Sequence, residues 1–129
     1  MDYITVIGIG VSLILACAGA FFTYRCWKLW KHTNITSLGL WVTKDRSFLT
    51  NNFKLIIVIG ALSGLHVLFE LWERFVILST PFIRNIFYLF YFLNLVSIMI
   101  VFLMLAVAWY KILSKVNTWD KRWLRADNK

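Results

Sequence analysis

The chain has 129 residues, 60% of them hydrophobic and 18% aromatic, and 14 Lys and Arg against 6 Asp and Glu give it a net charge of +8. Its mean hydropathy of +0.72 lies far above that of an ordinary soluble domain, whose core at this length could not take up so much apolar surface. Beside long apolar segments these numbers leave no room for a separate soluble domain of usual size.

The first apolar segment covers residues 3–24, enough for the ~20 residues that cross a ~30 Å hydrocarbon core. Within it Ile14-Leu15-Ala16-Cys17 loosely resembles a lipoprotein cleavage box. A signal peptide opens on a basic stretch and has a short apolar core, whereas this chain opens Met1-Asp2-Tyr3, so a retained span is expected. Thr5, Gly8, Ser12, Ala16, Gly19 and Thr23 recur at intervals of three and four and share one helix face. Lipid gives no hydrophobic drive for helices to pair, so a face of small residues is where another helix can come close.

Residues 25–54 follow as a polar loop with Leu38, Leu40, Trp41 and Phe48 interspersed, and Ser47 is placed to cap the next helix. Asn34-Ile-Thr36 matches a glycosylation acceptor. The second span covers residues 55–78 and brings Gly60 and Gly64 as a further small-residue face. Pro81 breaks the chain before the third span, residues 86–109. The tail, residues 110–129, sets Ile112, Val116, Trp119 and Trp123 at helical spacing, which predicts an amphipathic helix lying on the membrane surface.

The expected fold class is therefore all-α, one integral membrane domain over residues 1–129 with three transmembrane helices and an interfacial C-terminal helix. Arg25, Lys28, Lys31, Lys44, Arg46 and Lys54 lie between spans one and two, and Lys111, Lys115, Lys121, Arg122, Arg125 and Lys129 follow span three, whereas the other side carries only Arg74 and Arg84. The positive-inside rule then puts the N-terminus outside and the C-terminus in the cytoplasm of a cell membrane. Trp27, Trp30, Trp109, Trp119 and Trp123 would anchor the inner interface, with the basic residues attracting anionic lipid rather than nucleic acid.

The sharpest feature is polar. His66, Glu70 and Glu73 are four and three residues apart and share one side of the second span. At ~1.5 Å per residue His66 stands ~18 Å from Lys54, and counting inward brings Asn94 of span three and Ser12 of span one to nearly that depth. A layer of Ser12, His66 and Asn94 is expected, with Glu70 and Glu73 above it and Arg74, four residues past Glu70, able to neutralise it. Intramembrane ionisable groups are costly and face protein, water or a ligand. Three readings compete for this stripe: a hydrogen-bonded structural pair, a surface against a larger partner, or a proton, metal or haem site.

Catalytic signatures are missing: there is no phosphate-binding glycine loop, no HExxH and no Gly-x-Ser-x-Gly. His32 and His66 are the only histidines, and His66 could give a haem or a metal one ligand per chain, so no cofactor is expected and haem or metal through His66 ranks last. Cys17 and Cys26 lack a CxxC spacing and are expected to stay reduced. A deficit of chemistry and a surplus of packing surface together predict a non-catalytic accessory subunit that stabilises a larger membrane complex, for example a respiratory, oxidase or monooxygenase assembly. The alternatives are a sensor or ligand-binding module using the His66/Glu70 stripe, and after it a self-associated channel or proton pathway.

Overall fold

A computed structural model describes residues 3–75 and 80–126, and all regular structure in them is helical: α1 Tyr3–Trp30, α2 Ile35–Lys44, α3 Arg46–Phe75 and α4 Pro81–Ala126. Three helices are long and apolar enough to cross a membrane, over Thr5–Trp30, Arg46–Phe75 and Pro81–Arg122. Residues 76–78 of the second predicted span and 127–129 of the tail lie outside the described residues.

Polar side chains set the boundaries. At the end of α1 the Thr33 hydroxyl and the His32 amide both donate to the Leu29 carbonyl, at 2.7 and 3.1 Å, taking up an acceptor the helix leaves open. Asn34 caps α2 by accepting the Thr36 amide at 2.9 Å, so the side chain of the glycosylation-like triplet serves as a helix cap. One residue joins α2 to α3. The Asp45 amide donates to Trp41 O at 3.1 Å, and its carboxylate accepts the Phe48 amide at 2.9 Å. The cap is thus Asp45 and not Ser47, which lies in the first turn of α3; a carboxylate also gains from the positive end of the helix dipole.

Pro81 opens α4 where its missing N–H costs nothing, and the Arg84 amide donates to Thr80 O at 3.1 Å. No Gly or further Pro follows, and the helix runs on for 46 residues. At ~1.5 Å per residue that is ~69 Å, more than twice a ~30 Å hydrocarbon core. The tail is therefore continuous with the third apolar segment rather than set off from it by a break.

α4 is the axis of the molecule. α1 packs along it in parallel, as Gly8 against Phe92 and Cys26 against Ala106 show, and α3 packs antiparallel, as Glu73 with Tyr88 and Asn52 with Trp109 show. α1 and α3 each meet α4 but not one another within 8 Å between Cα atoms among the described residues. The three long helices thus form a layer with α4 in the middle.

The hydrophobic core sits at one end of this layer. Leu38 of α2 packs with Ile112, Leu113 and Val116 of α4, and Leu29, Trp41, Val42, Phe48 and Trp109 close around them. Val116 is wholly buried. Along the membrane-length portions burial is thin: Ile98 is the buried large hydrophobe of α4 there, and no residue of α3 is buried.

Candidate functional site: a polar seam between α3 and α4

Two stripes face each other across the α3–α4 contact. On α3, His66, Glu70 and Glu73 recur at four and three residues; on α4, Tyr88, Tyr91 and Asn94 recur at three. Antiparallel packing pairs them in order. The Tyr88 hydroxyl donates to Glu73 Oε1 at 2.8 Å. The Tyr91 ring lies 4.7 Å from the His66 imidazole, tilted by 38°. One turn further, Asn94 Nδ2 donates to the Leu62 carbonyl over a long 3.3 Å. Phe69 meets Phe87 edge-on at 5.7 Å beside the seam.

The charged contact within α3 is His66 Nε2 to Glu70 Oε1 at 3.8 Å, an ion pair only when the imidazole is protonated. Glu70 is half exposed and His66 largely covered. Arg74 makes no ion pair within 4 Å among the described residues, so Glu70 has turned to His66 and not to Arg74. Glu73 spends one carboxylate oxygen on Tyr88.

Three buried polar atoms have no hydrogen-bond partner among the described residues: Ser12 Oγ, His66 Nδ1 and Asn94 Oδ1. They belong to three different helices. Asn94 bonds one turn from His66, and the Gly8–Phe92 contact puts Ser12 of α1 near the level of the same stretch of α4. Leaving such a group dry and unpaired costs about 1–3 kcal/mol. An imidazole nitrogen, an amide oxygen and a hydroxyl thus keep unused hydrogen-bonding capacity, with Ser12 on α1 and His66 on α3, two helices that meet α4 but not one another.

The small residues divide into two sets. Gly8 lies against α4, where an added Cβ would come within 2.7 Å of the Phe92 ring; Ser12 and Gly19 are half-buried, though an added Cβ at Gly19 would meet nothing within 4 Å. Ala16 is exposed, and Gly60 and Gly64 look into open space with nothing within 4 Å of an added Cβ. The tryptophans divide likewise. Trp27, Trp30 and Trp119 are exposed, whereas Trp109 packs edge-on to Phe48 at 5.2 Å and donates its indole N–H to Asn52 Oδ1 at 3.0 Å. The side chain of Trp123 lies outside those described.

Cys17 and Cys26 are both free thiols, and Cys26 Sγ donates to Ala106 O at 3.4 Å. Among the described residues no three His, Cys, Asp or Glu side chains gather as a metal site. Tyr88 and Tyr91 are the site residues that sequence reasoning passed over. Their spacing with Asn94, three residues apart each time, was the available signal, since it repeats on α4 the polar stripe of α3. Compared with family models, curated proteins and solved structures, the chain matches none.

Proposed function

We propose that this chain is a small, non-catalytic accessory subunit of a larger assembly in a cell membrane, with α3 turned toward its partner. The observation that carries the reading is that α3 buries none of its own residues and, beyond the His66 and Glu73 contacts with α4, leaves Glu70 open to the outside. Glu70 is half exposed, and among the described residues its charged contact is with His66. An ionisable side chain within a span is expected to face protein or water rather than lipid. Gly60 and Gly64, with open space beside them, give the same helix a surface that another helix can approach closely.

The basic loop and tail give the topology under the same proposal: N-terminus outside, the α2 end in the cytoplasm, and Trp27, Trp30 and Trp119 in the inner interface. The part of α4 past Trp109 then runs beyond the hydrocarbon, with α2 packed on it as an interfacial layer. Lipid, anionic lipid included, and larger subunits are the partners of this reading.

The second reading rests on the unpaired atoms of Ser12, His66 and Asn94: a sensor or ligand-binding module in which a polar ligand pairs with such atoms. Replacing His66 separates the two. Under the accessory reading His66→Ala lowers the amount of co-purified partner and of this chain. Loss of a response or flux with assembly intact favours the sensor. Unchanged partner content at equal abundance counts against the accessory reading.

A further inference from the structure

At the other end of the molecule a cleft of about 500 Å³ opens between the last turns of α1 and the distal part of α4. Its volume lies within the ~300–1,000 Å³ of ordinary ligand pockets. Arg25, Lys28 and Leu29, at intervals of three and four on one face of α1, and His32 in the turn that follows line it from one side. Tyr110, Asn117, Asp120 and Lys121 line it from α4. Three permanent cations from two helices thus meet one carboxylate, and the cleft stays net positive even beside the α1 C-terminus, whose dipole is worth only about half a negative charge.

Two details make this more than a solvated basic face. The Arg25 guanidinium is held over two rings, 5.4 Å from Phe21 and 6.0 Å from Tyr110, so its fork is oriented before any ligand arrives. Asn117 is only 8% exposed and is one of two buried polar residues among those described. It lines the cleft. A polar side chain so nearly buried has little of its surface open, and the cleft is a face on which it lies.

We propose that this cleft binds a phosphate ester, with the Arg25 fork and Lys28 on its oxygens and the Asn117 amide donating to one of them. Arg suits the planar, multi-oxygen anion and Lys adds a point charge. The apolar wall of Leu29 and Tyr110, and the Trp27 and Trp30 side chains on the same turns of α1, are what a phospholipid headgroup with its glycerol would meet at a membrane surface. A soluble phosphate ester offers the same charged group without the apolar part.

The test is native mass spectrometry of the full chain in a mild non-ionic detergent, titrated in parallel with phosphatidylglycerol, phosphatidylcholine and soluble glycerol phosphate. One phosphatidylglycerol retained per chain over phosphatidylcholine, with no competition from glycerol phosphate, supports a lipid headgroup. Competition by glycerol phosphate at equal strength supports a soluble ester. Arg25→Gln with Lys28→Gln should weaken retention about tenfold. Lys44→Gln with Lys54→Gln removes as much charge outside the cleft and should leave it unchanged. Asn117→Asp, nearly isosteric, should also abolish retention while the helical circular dichroism stays intact. Equal losses from both double variants, or retention that Asn117→Asp leaves untouched, would overturn the proposal.

Discussion

The two ends of this molecule solve packing differently. Around α2 the side chains close into a core with Val116 wholly buried, whereas along the membrane-length stretches few side chains are buried and no residue of α3 is. Under the proposed topology the difference follows from the solvent each end meets. Water drives apolar side chains together at about 25 cal/mol per Å² buried, but lipid tails are as apolar as Leu, so contact between spans depends on close fit and polar pairing. The Gly8–Phe92 approach and the Tyr88–Glu73, Asn94–Leu62 and His66–Tyr91 contacts are of that kind.

If that contrast is right, the α2 end should be the more sensitive to lost volume. Leu113→Ala, at a residue only 2% exposed, should cost about 2–5 kcal/mol. Thermal unfolding in detergent and amide exchange of α2 would read this, and a small, delocalised effect would break the contrast. Along the span the opposite change should hurt. Gly8→Ala forces a methyl against the base of the Phe92 ring and should cost about 1–3 kcal/mol by overpacking, seen as loosened α1 in cysteine accessibility or a lowered melting temperature.

Asp45→Ala should follow at about 1 kcal/mol, since it removes the α3 cap; Asp45→Asn should restore most of it, because an amide oxygen caps too. The smallest effect in the isolated chain is expected at Gly60, where an added methyl meets nothing. Gly60→Ala should leave its stability within about 0.5 kcal/mol or raise it slightly. If the same substitution reduces recovery of a larger assembly, the open face is a contact surface; if both stay unchanged, lipid covers it.

Much of the architecture could be read from hydropathy and charge because spans obey a length rule: three apolar stretches became three helices of membrane length. Depth also could be counted, since a straight helix rises evenly, but a count of depth does not show whether Ser12, His66 and Asn94 meet. Which way side chains face could not be counted. Nothing local shows that α4 would stand between α1 and α3, or that Glu70 would meet His66 and not Arg74, because those outcomes depend on helix rotation set by neighbours. The helix Ile35–Lys44 falls in a polar segment whose local sequence predicts a loop. Its ten residues are too few to be stable alone, and it draws its order from Leu38 packing on α4.

The central claim is that α3 faces a larger membrane partner. Gentle extraction from the native membrane into nanodiscs, followed by native mass spectrometry of whatever travels with the chain, tests it most directly. The account predicts stoichiometric larger subunits that are lost with His66→Ala. A lone chain or a homo-oligomer with lipid alone would contradict it.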